Sequence, residues 1–146
     1  MIHSLYMTLR EEIAWAAGFI DGEGCISFEV RKEGASTTYR LRVAASNTRK
    51  APLRKLKRLF GGTIAVVHTG SKTHKPAWKW HVDCLTAERT LQALSGLLVV
   101  KHKQAALGLR SRAFICVPGR RRILAHTHRQ LARIKRTFTQ LNHKGP

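Results

Sequence analysis

Two carboxylates one residue apart, Asp21 and Glu23, close the stretch Ala14-Trp15-Ala16-Ala17-Gly18-Phe19-Ile20-Asp21-Gly22-Glu23-Gly24. Carboxylates gathered in one place repel each other unless a cation sits between them. Mg2+, which takes oxygen ligands and phosphate, is the natural occupant. The residues before the acids suggest how such a gathering arises. Ala14, Gly18 and Gly22 recur every four positions, so on a helix they form one stripe with Ala17 beside it. A stripe of small residues lets two helix backbones approach closely, and glycine inside a helix is unfavourable enough to want a packing or turning reason. A close helix pair would deliver carboxylates from both helices to one centre. At this level a second reading stays open, in which the Ala-Gly packing is internal and the acids merely finish a helix.

The elements that must hold these groups follow from periodicity. Thr8 with Glu11 three residues on is a capping-box spacing, opening a helix through Leu9, Ile13, Ala17 and Ile20 that stops near Gly22-Glu23-Gly24. Cys25 to Arg31 alternates with period two, Gly34 to Thr37 supplies a turn, and Arg40 to Val43 alternates again, which predicts a hairpin. Ile26, Phe28, Val30, Leu41 and Val43 then face the core, and Ser27, Glu29, Arg31, Thr38, Arg40 and Arg42 point the other way. Pro52 suits the first turn of a second helix, through Leu53, Leu56, Leu59 and Phe60 to Gly61-Gly62. Residues 63–69 and 77–84 form a looser hairpin, with Trp78, Trp80 and Val82 inward and Lys79 and His81 outward. Thr86 is the expected cap of a third helix running to Gly96. Further helices are expected from about Lys103 to Cys116 and over about 121–141, the last with Leu124, Leu131 and Phe138 seven apart and a basic opposite face. The expected class is α+β, in the order αββαββα with extra C-terminal helices, as one domain over 1–146 whose core spans about 9–116.

Charge narrows the partners. Among 146 residues Lys and Arg number 27 against 8 Asp and Glu, a formal net charge of +19 with a pI near 11.3. Such an imbalance costs stability through self-repulsion, and phosphate is the usual reason to carry it. Glu88 is the last acid, followed by 58 residues with 13 Lys and Arg. No apolar run reaches membrane-spanning length, and the N-terminus lacks a secretory pattern. Cys25, Cys84 and Cys116 form no CxxC pair, so an intracellular, reducing setting in cytoplasm, nucleoid or organelle is expected. The eight His form no ligand cluster, and His126-Thr127-His128 reads as solvated.

Ala16 to Gly24, Ala-Ala-Gly-Phe-Ile-Asp-Gly-Glu-Gly, resembles the LAGLIDADG motif of homing endonucleases. It departs from the eponymous string at Ala16, Phe19, Gly22 and Glu23, which stand for Leu, Leu, Ala and Asp. The element order, the Asn47-Thr48 segment after the first hairpin and Lys101-His102-Lys103-Gln104-Ala105 are also similar to that family, so that the likeness covers roughly Leu9 to Leu109. The resemblance implies an antiparallel, saddle-shaped sheet. It also implies a site-specific double-stranded DNA endonuclease serving intron or intein mobility, which uses Mg2+ or Mn2+ and no small-molecule cofactor.

Residue by residue, the resemblance implies that Glu23 is the metal ligand, with the Gly22 carbonyl beside it. Asp21 is implied to be structural, closing the helix and bracing a dimer along Ala14, Ala17 and Gly18. Asn47, with Ser46 as rival, would orient attacking water. Lys101 would stabilise charge developing on phosphate, supported by Lys103 and Gln104. One motif copy implies a homodimer on a long, pseudo-palindromic duplex. The outward residues of both hairpins, Ser27, Glu29, Arg31, Thr38, Arg40, Arg42, Lys79 and His81, would meet the major groove. There Arg takes guanine edges, and Glu29 could accept from cytosine. Lys72, Lys75 and Arg120-Arg121-Arg122 would touch phosphate. The alternatives are an intron maturase or transcription regulator that binds on the same scaffold without cutting, and a structural RNA-binding protein.

Overall fold

The computed structural model describes residues 6–68, 70, 75–115 and 125–143. Nine elements follow in order: α1 (Leu9–Glu23), β1 (Gly24–Glu33), β2 (Ser36–Asn47), α2 (Lys50–Phe60), β3 (Thr63–Val67), β4 (Ala77–Asp83), α3 (Cys84–Leu94), α4 (His102–Ile115) and α5 (Ala125–His143). The αββαββα order with two following helices is thus the one the periodicity predicts. Lys72, Cys116, the Arg120-Arg121-Arg122 cluster and Leu124 lie outside the described residues.

Local chemistry sets the boundaries. The Thr8 side chain accepts from Glu11 N–H at 3.3 Å while Glu11 accepts from Thr8 N–H at 2.7 Å, closing both halves of the capping box. Gly24 ends α1 in extended conformation, where a Cβ would lie 2.7 Å from the Ile20 carbonyl oxygen. Gly61 and Gly62 stop α2 with φ of 76° and 90°, values that favour glycine. At Gly62 a Cβ would also meet the His81 carbonyl at 2.4 Å, so the chain passes tightly against β4 there.

Two expectations need correction. Thr86 does not cap α3; the helix begins at Cys84 straight out of β4, with Asp83 in the cap position and no side-chain cap bond. Thr90 Oγ1 instead donates back to the Thr86 carbonyl at 2.8 Å inside the helix. His128 is not solvated. Its Nδ1 lies 3.3 Å from the Tyr39 hydroxyl, half-buried where α5 meets the sheet.

The sheet is antiparallel in the order β1-β2-β4-β3. Its inner face, carrying Ile26, Phe28, Leu41, Val43, Trp80 and Val82, is buried in one cluster with Ala16, Ala17 and Ile20 of α1, Leu53 and Leu56 of α2, and Leu91 and Leu94 of α3. Each large side chain fully buried there stabilises the fold by about 1.5–3 kcal/mol. The Trp80 indole N–H donates to the Gly61 carbonyl at 2.8 Å, which satisfies its polar atom. The C-terminal helix joins this core: Leu131 and Phe138 are buried, Phe138 stacks on Phe28 with centroids 5.9 Å apart, and Asn142 donates to the Ile26 carbonyl. Among the described residues, no helix is long and apolar enough to cross a membrane.

Candidate functional site

With helices covering one face of the sheet, the other face is left for function. The β1–β2 register pairs Glu29 with Arg40 and Ser27 with Arg42, and the β2–β4 register pairs Arg42 with Asp83 and Ser46 with Lys79. Strand alternation therefore puts Ser27, Glu29, Arg31, Thr38, Arg40, Arg42, Ser46, Lys79, His81 and Asp83 on this outer face.

α1 delivers Glu23 to the edge of that face. Its carboxylate is exposed and lines an open cleft of about 120 Å³ together with Cys25, Ser27, Arg42, Ser46 and Lys79. Asn47 is not part of that lining. Its parity in β2 follows Val43 and Ala45, on the helical side, and its Oδ1 accepts from Arg49 N–H at 2.8 Å to shape the turn into α2. The neighbour that shares the cleft with Glu23 is Ser46. Extending the outward series Thr38, Arg40, Arg42 by period two reaches Ser46, so the signal was already present in the strand.

The small-residue stripe is open. Ala14, Gly18 and Gly22 are exposed, and a Cβ added at Gly18 or Gly22 would meet nothing within 4 Å. Ala17 is different: it is 1% exposed and sits in its own core, so it is not available as a surface residue of the stripe. One position along from the stripe on the same helix, Trp15 stacks on Phe19.

Asp21 holds the segment before α4. Its carboxylate accepts from the N–H groups of Val99 (2.7 Å), Val100 (3.2 Å) and Lys101 (3.0 Å). Lys101 Nζ donates to the Asp21 carbonyl, so Lys101 is moored at the end of α1 that bears Glu23. Burial opposes ionisation of Asp21, but those N–H groups and the Lys101 charge outweigh it and hold its carboxyl below the ordinary value of 3.8. Lys103 is exposed in the first turn of α4, and Gln104 is buried.

Electrostatics on the outer face are more ordered than sequence predicts. Arg42 is paired with Asp83 and Glu29, and Arg40 with Glu29 and, at 3.7 Å, Asp83. Glu29, expected to accept from a base, is thus occupied by two arginines. The hydrogen bond to Asp83 is the main reason the Arg42 guanidinium holds its proton even more firmly than an ordinary arginine. At Asp83 burial pushes upward, yet Arg42 bonding and the Arg42 and Arg40 charges carry the carboxyl below 3.8. Burial, followed by the Arg42 charge, lowers His81 below its ordinary value, against the opposing pull of Asp83. Asp83 was not anticipated; its outward parity with Lys79 and His81 was the available signal. Among the described residues, no group of three or more His, Cys, Asp or Glu is placed to hold a metal. Glu23 with the last-turn carbonyls of α1 are hard oxygen donors of the sort a divalent ion takes, short of a full set.

Comparison with known proteins gives a consistent result. The profile of the family described as LAGLIDADG endonuclease matches residues 16–91, which is 76 of 146 residues. The fold is similar to that of I-CvuI, a homing endonuclease solved in complex with its target in the presence of Ca, at 19% identity and a TM-score of 0.74, covering 94% of this chain and 85% of that one. It is also similar to I-Vdi141I, an archaeal intron-encoded homing endonuclease complexed with DNA, at 17% identity and a TM-score of 0.76, covering 93% and 87%. I-GzeII, solved with its DNA target, gives 15% identity and 0.66, and there 84% of this chain spans 43% of the other. No curated protein sequence matches significantly.

Proposed function

This chain belongs to the LAGLIDADG endonuclease family, and from that premise we propose that it is a site-specific double-stranded DNA endonuclease that requires a divalent metal and acts as a homodimer. The observation that carries the reading is the exposed stripe of Ala14, Gly18 and Gly22 running directly into exposed Glu23, beside Ser46 and Lys79.

A single chain offers one acid at that place, and the open stripe supplies the way to obtain a second. Two α1 helices packed along it about a two-fold axis bring Glu23 of each subunit together, with Asp21 keeping each helix end in shape. The two-fold relation suits the antiparallel strands of a duplex and a pseudo-palindromic target. Solved structures in which this chain spans under half of the relative support the idea that its unit acts in pairs.

Glu23 and the Gly22 carbonyl are the groups that would hold Mg2+ or Mn2+. When bound, such an ion supplies Lewis-acid stabilisation of phosphate oxygens and a more acidic water. Ser46 and Asn47 are the candidates for orienting the attacking water, and the shared cleft favours Ser46. Lys101 offers positive charge to the phosphate as it gains charge. Ser27, Arg31, Thr38, Arg40, Arg42, Lys79 and His81 form the surface for the major groove, with Glu29 as a partner of the arginines. Lys72, Lys75 and Lys103 add phosphate contacts.

The test is incubation of the wild-type chain with a randomised duplex library, with and without Mg2+, and with Glu23→Gln as control. Paired staggered cuts that need the metal and vanish in the variant are expected. Sequence-selective binding without cutting under any condition would overturn the assignment in favour of a regulator on the same scaffold.

A further inference from the structure

Two of the chain's eight acids, Glu29 and Asp83, stand on the outer sheet face on either side of Arg42 in a protein of net charge +19. Carboxylates there repel phosphate and weaken any contact with a polyanion. Their geometry suggests what they contribute instead. Arg42 Nε and Nη2 donate to Asp83 Oδ1 and Oδ2 at 2.7 and 2.9 Å, the two-pronged arrangement that fixes a guanidinium plane. Arg42 Nη1 lies 3.3 Å from Glu29 Oε1.

A guanidinium has five N–H donors. Asp83 engages two of those on Arg42 as hydrogen bonds, Glu29 stands in ion-pair range of Nη1, and further Nη hydrogens are left for another acceptor. Two donors are what guanine O6 and N7 accept. An unrestrained arginine on such a surface reaches for phosphate, which is blind to sequence. Arg42 is restrained and locally neutralised, so it keeps directional donors while losing much of its pull toward the backbone. The junction after Asp83 is itself constrained: Cys84 has φ of 51°, the one positive value outside glycine among the described residues.

We infer that Asp83 is a specificity-determining positioning residue, which clamps Arg42 so that it reads a guanine edge in place of phosphate. The inference rests on the DNA endonuclease reading above. Glu29 plays the same part for Arg40, whose Nε and Nη2 both donate to its Oε2.

The test measures metal-free binding of the full chain to a randomised duplex library across a salt series, for wild type, Asp83→Asn and Arg42→Lys. Wild type is expected to prefer guanine at one position in each half-site. Asp83→Asn should lower that preference by about tenfold, bind unrelated duplex more tightly, and gain about one counterion in its salt dependence. Arg42→Lys, which keeps the charge without the fork, should lose preference at the same position. Unchanged preference in Asp83→Asn overturns the inference, as does relaxation of the two variants at different positions. If Asp83→Asn fails to fold, an unrelaxed Arg42→Lys still overturns it. Failure of wild type to cut with Mg2+ while these base preferences hold would sink the nuclease assignment and leave the clamp standing.

Discussion

Lys101 and Asp21 are joined twice: the Lys101 backbone N–H donates to Asp21 Oδ1 at 3.0 Å, and Lys101 Nζ donates to the Asp21 carbonyl. Eighty residues of sequence separate them. Together with the N–H groups of Val99 and Val100, the pair ties the segment before α4 to the helix end that bears Glu23. Asp21→Asn keeps one acceptor oxygen but loses the charge and the second acceptor. It should destabilise the fold by about 1–3 kcal/mol and slow cleavage by letting Lys101 drift, measured by denaturant unfolding and single-turnover rates. Because the folded pKa of Asp21 is lowered from 3.8, its stabilisation is complete above about pH 5 and is lost as pH falls through the lowered value. The variant should therefore show a smaller loss of stability than wild type between pH 5 and about pH 2. Parallel acid profiles would count against the ionic role of Asp21.

Gly18 is where the proposed dimer can be tested without disturbing the chain's own packing. Within one chain a Cβ there meets nothing, and alanine suits a helix interior better than glycine by about 0.5–1 kcal/mol. Gly18→Leu should accordingly leave the melting temperature of the monomer at or above that of wild type. The same substitution should shift sedimentation toward monomer and abolish double-strand cutting. A Gly18→Leu chain that still dimerises and cuts would remove the stripe from the interface.

Ser46 and Asn47 should part company under alanine substitution. Asn47→Ala removes the bond from Arg49 N–H and should lower stability by about 0.5–1 kcal/mol, with a cleavage rate near wild type. Ser46→Ala, at an exposed position beside Glu23, should leave stability within about 0.5 kcal/mol and lower the single-turnover rate tenfold or more. The reverse pattern of rates would return Asn47 to the water-orienting role.

Glu88 balances a buried charge. Arg112 Nε donates to Glu88 Oε2 at 3.0 Å, and the Arg112 side chain is 4% exposed. Glu88→Gln removes the opposing charge while keeping a hydrogen-bonding group, and should destabilise by about 3 kcal/mol. Chemical denaturation reads this directly, and a change under 1 kcal/mol would mean that the α3–α4 contact does not depend on the ion pair.

What could be read along the chain was what neighbouring residues decide among themselves. The Thr8–Glu11 box, the period-two alternation of Cys25 to Arg31, the Gly61-Gly62 stop and the four-residue recurrence of Ala14, Gly18 and Gly22 each arise within a turn or two of backbone. They were enough for the element order, for the two faces of the first hairpin and for the approach of Glu23 to the end of a small-residue stripe. Tertiary structure alone decided which side of α1 meets the core, drawing Ala17 inward and leaving Gly18 open. It also decided that Asp21 spends its lone pairs on residues 99–101, that Asp83 and Glu29 occupy Arg42, and that His128 lies against Tyr39. These depend on pairing between groups 13 to 89 positions apart (29 to 42; 39 to 128). A hydrogen bond or ion pair has no periodicity of its own, so it becomes visible only when the fold has brought its two halves together.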